Sequence, residues 1–374
     1  MTYVLPSPIQ TALLQACLLD GEARTGAVQR FRQMTSIDAL DPGSQRLLPL
    51  YYRRLVDDGA DDPDLGRLKG VHRKAWYANL LLRGGAEEVV STLHAAGIET
   101  LILKGAGLHA SIYAHEPALR PLSDVDILVS AAQVNDAIGS LEAIGFSQFN
   151  ELYGKSWPRY MHSGTYSRGL SEKVDLHVRP LRFQLDLGYT ARCWSRSQGI
   201  MLGSAPTSTL DPTDHLLITI IHGMAPNTLA PCRWVTDATL LIRGGHIDWP
   251  RFADEAAATW YPRSVEAGLR YLASEMQVSV PEVALSSLRR PRPRSWRFLE
   301  TLSVQPPSRG ARILSALFVD YALASIDKGA LDLIRGYPEY MRVRSYRGWR
   351  GTATRLIRLA VKGIAHERKA RTDR

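Results

Sequence analysis

Two short alternating runs carry the residues best suited to do chemistry. The first is Ser123-Asp124-Val125-Asp126-Ile127-Leu128-Val129. In a strand, side chains two apart share a face, so Asp124 and Asp126 aim their carboxylates the same way, ~6.6 Å apart along the chain. Val125, Ile127 and Val129 then face the opposite side, into a core. Two acids on a half-buried strand repel each other and resist desolvation, and a divalent cation resolves that conflict. Oxygen-only ligands favour Mg²⁺ or Mn²⁺ over zinc. The second run, Lys173-Val174-Asp175-Leu176-His177-Val178-Arg179, puts Asp175, His177 and Arg179 on one face and Val174, Leu176 and Val178 on the other. If the two strands pair, three acids converge. Three carboxylates can hold two metals ~3.5–4 Å apart, a clamp on the attacking and leaving oxygens of a phosphoryl or nucleotidyl transfer.

Upstream, Leu103-Lys104-Gly105-Ala106-Gly107-Leu108 reads as a strand, a glycine turn and a helix start. Glycines let backbone approach a phosphate, free N–H groups attract anions, and Lys104 adds a cation. Arg120, four residues before Asp124, and the adjoining Ser123 complete the candidate phosphate set. Blander readings stand beside these. The glycines alone suit an ordinary tight turn, and Asp175 alone suits a surface pair with Lys173 or Arg179, worth at most ~1 kcal/mol. His177 can orient the acid or the acceptor, or pack at the sheet rim. His215 and His222 lie seven apart, too far for a zinc pair, and read as core or rim residues. Trp234, Arg233 and Asp237 read as helix packing with an i,i+4 ion pair.

The elements that must position these residues follow from periodicity. Residues 1–95 read as a helical region, with a helix start at Asp41-Pro42-Gly43-Ser44 and a long helix through Ala75–Ala96 weakened at Gly84-Gly85. Residues 96–185 read as the core: an apolar strand Ile98–Leu103, a helix from Leu108 to Tyr113, and the acidic strand Asp124–Val129. A helix carrying Val134, Ala137, Ile138, Leu141 and Ile144 and a hairpin ending in Lys173–Arg179 complete it. This is an α+β series. Residues 186–300 read as a helical C-terminal domain, opened by Asp211 as N-cap with Pro212 at the first position. Helices also fit Val235–Ile242 and Arg251–Thr259, and Arg289–Arg294 reads as a Pro-interrupted linker. Residues 301–374 read as a helical extension.

The order Lys104-Gly105, Tyr113, Arg120, Asp124-x-Asp126, Asp175-x-His177 resembles the uncharacterised bacterial branch of the nucleotidyltransferase superfamily, with its polymerase-β-like fold. The resemblance runs through Asp211–His222, Trp234–Asp237 and Ile247-Asp248-Trp249, covering roughly residues 75–280. It implies a small mixed sheet with flanking helices, between N-terminal and C-terminal helical regions. It also implies binding of Mg²⁺ and an NTP, expected to be ATP, and transfer of a nucleoside monophosphate to an acceptor with release of pyrophosphate. In that fold the paired acids and a third acid hold metal, roles that carry over to Asp124, Asp126 and Asp175. A Gly-Ser turn holds the triphosphate, a role that carries over to the turn at Gly105. The serine of that turn is Ala106 here, which leaves Lys104 and the backbone to hold phosphate. Two other readings remain: a nucleotide- or peptide-binding module of the same fold without turnover, and a transferase acting on tRNA.

Composition sets the outer bounds. The chain has 374 residues, 45% hydrophobic and 22% charged, which fits two or three globular domains and excludes global disorder. The net charge is +9, and residues 341–374 hold all of it, with eleven Lys/Arg against two Asp/Glu. In that tail Ala353, Leu356, Ile357, Ala360 and Ile364 share a helical face opposite Arg355, Arg358, Lys362, His366 and Lys369. The pattern suits a docked helix with a solvated charged face, or capture of an acidic partner such as RNA, an acidic peptide or anionic lipid. Three scattered cysteines offer neither a disulfide framework nor a C-x-x-C pair. No apolar run reaches membrane-spanning length, and the first charge is Asp20, so a cytoplasmic setting is expected. The acceptor, whether small molecule, peptide or RNA, is not legible at this level.

Overall fold

The computed structural model describes residues 5–149, 157–159, 161–169, 172–182, 184–225 and 232–289, with 300, 321, 336–338 and 340–341. The basic tail from 342 on and most of the Arg289–Arg294 segment lie outside the described residues. Helices α1 (Pro8–Leu18), α2 (Gly21–Met34), α3 (Pro42–Gln45), α4 (Leu48–Asp57) and α5 (Leu65–Ala95) precede the first strand. The core then runs β1 (Leu101–Leu103), α6 (Lys104–His109), β2 (Val125–Leu128), α7 (Val134–Ala143), β3 (Ser147–Gln148), β4 (Ser163–Arg168) and β5 (Glu172–His177). Next come α8 (Gly188–Ser195), β6 (Gln198–Leu202), β7 (Ala205–Thr209), α9 (Pro212–Met224), α10 (Arg233–Arg243), α11 (Trp249–Ala258), α12 (Pro262–Glu275) and α13 (Glu282–Leu288).

The strands form one mixed sheet in the order β3-β4-β5-β2-β1-β7-β6. β2 runs antiparallel to β1 and parallel to β5. The alternation expected of β2 and β5 is observed: Val125, Ile127, Val174 and Leu176 join a buried core with Leu82, Val89, Val90 and Leu93 of α5 and Ile138 and Leu141 of α7. Leu101, Leu103 and Leu128 project into the second core, built on α9, α10 and α12. Asp126 shares the face of Leu128, so the acids point toward the helical side.

Three expectations are revised. The stretch after residue 185 is not purely helical, because the β6–β7 hairpin extends the sheet as far as Thr209; its two short strands are largely half-buried or exposed and have little apolar alternation. The helix expected at Leu108–Tyr113 starts four residues earlier, at Lys104. And α5 starts well before the expected Ala75, at Leu65, and runs through Gly84-Gly85 as expected; a Cβ on Gly85 would lie 2.9 Å from Glu172 Oε1 of β5. Other local expectations hold. Asp41 caps α3 by accepting from the Gly43 and Ser44 amides, and Asp211 caps α9 through the Asp214 amide.

Gly107 packs α6 onto β7. A Cβ at this position would overlap Thr209 Oγ1 and lie 3.0 Å from the Ile102 carbonyl oxygen. Backbone cannot yield as a flexible side chain can, so Gly107→Ala should destabilise by about 1–3 kcal/mol. Thermal denaturation checks this; an unchanged melting temperature would contradict the packing described.

Candidate active site

β2 and β5 lie in a parallel register that pairs Asp126 with Asp175 and Leu128 with His177. Asp126 is buried, and two groups meet its Oδ1: Lys104 Nζ donates at 2.6 Å, and His177 Nε2 lies 2.9 Å away. Burial opposes the Asp126 charge, but Lys104 and His177 outweigh it and hold this carboxyl far below the ordinary carboxylate range. Burial likewise opposes the Lys104 charge, and Asp126 ahead of Asp175 and Asp124 reverses that and raises its pKa. Asp175 Oδ1 is buried, with no hydrogen-bond partner among the described residues. Asp124 sits half-buried just before β2, where burial and then the charges of Asp126 and Asp175 push its pKa up. A carboxylate oxygen of Asp126, one of Asp175 and a ring nitrogen of His177 all lie within 4.8 Å of one another, a donor set one cation can take. The tight set therefore includes His177 where the sequence pointed to Asp124. Asp124 opens onto the same cavity.

That cavity, about 330 Å³, lies between the sheet end and the helical side. Its floor carries the three acids and Lys104. Lys104 adopts a left-handed backbone with φ 47°, a conformation costing a side-chain-bearing residue on the order of 1 kcal/mol or more. His215 stabilises it by donating from Nε2 to the Lys104 carbonyl at 2.9 Å. His109 does the same for the Arg120 carbonyl at 2.7 Å. Burial lowers the pKa of both rings to about 4, so each stays neutral in the fold while it would titrate near 6.5 when unfolded. Their contribution is complete above pH 6.5 and is lost as pH falls toward 4, at up to ~1.4 kcal/mol per pH unit per group. Denaturant midpoints should therefore drop between pH 7 and pH 5 in the wild type, and His215→Gln should flatten that fall. A slope unaffected by the substitution would contradict this assignment.

The remaining sequence candidates divide. Gly105 lines the cavity directly beneath Arg120, whose Nη1 a Cβ there would overlap. Ser123 is exposed at the mouth, with its Oγ 3.1 Å from Asp124 Oδ1. Ala106 and Gly107 are buried in packing and turn away from the cavity. Arg179 lies beyond the end of β5 and does not line the cavity; its carbonyl faces His177 Nδ1 at 3.3 Å. Arg120 does line it, but Asp237 of α10 grips the guanidinium: Nε donates to both carboxylate oxygens at 2.9 and 3.0 Å and Nη2 to Oδ2 at 2.8 Å. Tyr113 adds a hydroxyl donor to the same carboxylate at 2.8 Å. This corrects the pairing expected within α10: Asp237 belongs to Arg120, and Arg233 instead donates to the Pro121 carbonyl. His222 faces the cavity, where the Lys104 ammonium, followed by desolvation, lowers its pKa to about 3.

Two further cations at the cavity were not among the site residues expected from sequence. Arg46, just past α3, and Arg233, at the start of α10, line the same cavity as the acids. Among the described residues, no carboxylate lies within ion-pair distance of either. Burial, with Arg120 and Arg46 nearby, lowers the Arg233 pKa to about 9. Cations crowded together in this way call for an anion. The signal available in the sequence was slight: an arginine straight after a capped four-residue helix.

The model of a family described as uncharacterised nucleotidyltransferase matches residues 43–277, more than half of the chain. The chain belongs to that family. As a member it is a transferase, and the matched stretch holds Asp124, Asp126, Asp175, Arg46 and Arg233 alike. No curated protein matches the chain. Among solved structures, the antibiotic-resistance factor ANT(2'')-Ia is similar at 11% identity with a TM-score of 0.34, covering 52% of this chain and 95% of that one. No helix among the described residues is long and apolar enough to cross a membrane.

Proposed function

We propose that this nucleotidyltransferase moves a nucleoside monophosphate from an NTP, with ATP the expected donor, to an acceptor hydroxyl or amine. The observation that carries the reading is the convergence of Asp126, Asp175 and His177 beside a cavity that Arg46, Arg120 and Arg233 also line. The residues fit a divalent ion, because the buried Asp175 Oδ1 has no hydrogen-bond partner among the described residues. Asp126 and Asp175, with Asp124 at the same mouth and His177 fixed against Asp126, would hold Mg²⁺ or Mn²⁺. When bound, such an ion supplies charge neutralisation at phosphoryl oxygens and acidifies a ligated hydroxyl.

The protein's own groups account for the rest. Arg46, Arg233 and the Nη1 edge of Arg120 over Gly105 bind the polyphosphate, and Lys104 adds its positive charge beside Asp126. Asp237 fixes the Arg120 plane, so its charge is aimed before substrate arrives. The acceptor oxygen or nitrogen attacks the α-phosphorus in line as Asp175 takes its proton. The new bond to phosphorus forms as the bond to the α–β bridging oxygen breaks, and pyrophosphate leaves with that electron pair.

A second reading has one observation in its favour. The Lys104 ammonium already neutralises Asp126 at 2.6 Å, as it would in a nucleotide-binding module without turnover. Calorimetry with MgATP, followed by an assay for pyrophosphate release in the presence of a small-molecule cell extract, separates the two. Binding together with extract-dependent pyrophosphate supports transfer. Binding with no pyrophosphate after long incubation supports the module.

A further inference from the structure

A second, larger cavity adjoins the first. It is an open groove of about 700 Å³ between α3, α4 and α5, within the size range of small-molecule sites. The ridge between the two cavities is α3. Gly43 faces the acidic cavity, Pro42 and Gln45 face the groove, and Arg46 borders both. The chain leading to the acids forms a second shared wall, with Pro121 in the groove and Leu122, Ser123 and Asp124 in the cavity.

The lining of the groove is amphipathic. Leu48, Pro49, Val71, Ala75 and Ala78 supply apolar surface. Arg67 is neutralised by Asp38 and Asp64. Lys74 is exposed, and no carboxylate lies within ion-pair distance of it among the described residues. We infer that this groove binds the acceptor, and that the acceptor is a small molecule with an apolar body and an anionic group set against Lys74. Its reactive end would pass Arg46 into the acidic cavity. This inference rests on the transfer reading above, since only a two-substrate reaction needs a second site opening onto the first.

The probe is 1-anilinonaphthalene-8-sulfonate, an apolar body with one negative group, followed by fluorescence titration of the full chain. We expect saturable binding of one molecule per chain. Ala78→Trp, at an exposed position on α5, should fill the groove and abolish that binding. Lys74→Glu should weaken it about fivefold or more. N-phenyl-1-naphthylamine, which has the same rings without the sulfonate, should bind more weakly than the sulfonate. Saturating α,β-methylene-ATP, whose bridge cannot be cleaved, should leave the sulfonate bound in a ternary complex.

Undiminished binding in Ala78→Trp would place the dye elsewhere, for instance on the exposed Trp76, Tyr77, Leu80 and Leu81 of α5, and would overturn the site. Equal affinity for the neutral dye would overturn the anionic requirement. Displacement by the nucleotide would overturn the acceptor role. If the wild type fails to bind α,β-methylene-ATP while the dye still responds to Ala78→Trp, the transfer reading has failed and the groove remains only a binding site.

Discussion

Asp175→Asn should cut metal-dependent pyrophosphate release by at least ~10²–10³-fold, the scale on which single groups that stabilise transition-state charge are felt. The substitution is nearly isosteric. It removes the charge of a carboxylate whose Oδ1 has no hydrogen-bond partner among the described residues, so the melting temperature should hardly move. Asp126→Asn should be at least as damaging to activity, and it also strands the Lys104 ammonium that now rests on Asp126. Because the two acids act on one site, the double variant should lose little more than the worse single variant. Pyrophosphate release that survives Asp175→Asn within about threefold would remove Asp175 from the mechanism.

The second large effect concerns stability. Asp237 is almost fully buried, and it receives three hydrogen bonds from Arg120 and one from Tyr113. Asp237→Ala leaves a guanidinium without its counter-charge beside Arg46 and Arg233. Breaking a buried ion pair from one side costs about 3–5 kcal/mol, which in a chain of this size lowers the melting temperature on the order of 10 °C. Arg120→Leu combined with Asp237→Leu should recover most of the loss, because well-packed apolar groups can replace a buried pair. Differential scanning calorimetry on the three proteins checks both steps. A single variant that melts within about 2 °C of the wild type would mean that the pair is not buried as described.

What the sequence disclosed and what it withheld have physical causes. The acidic strands were legible because period-two alternation fixes faces: once Val125, Ile127, Val174 and Leu176 must enter a core, Asp126 and Asp175 must leave it. Helix starts were legible because Asp41 and Asp211 cap locally, within three residues of the amides they accept from. The role of Arg120 was only half legible. Its partner Asp237 lies 117 residues away, and within α10 the nearby Arg233 offered a plausible but incorrect match. Arg46 and Arg233 were invisible as a pair because only tertiary packing brings α3 and α10 to one cavity. The β6–β7 hairpin escaped because its strands lie toward one end of the sheet and have too little apolar alternation to announce themselves.

The central claim is that Asp126 and Asp175 form one cation site facing a polyphosphate. Its most direct test is calorimetric titration of Mn²⁺ into the wild type and Asp175→Asn, each saturated with α,β-methylene-ATP. The account predicts nucleotide-dependent Mn²⁺ binding in the wild type and its loss, or a weakening of tenfold or more, in Asp175→Asn. Equal Mn²⁺ affinity in the two proteins would contradict it.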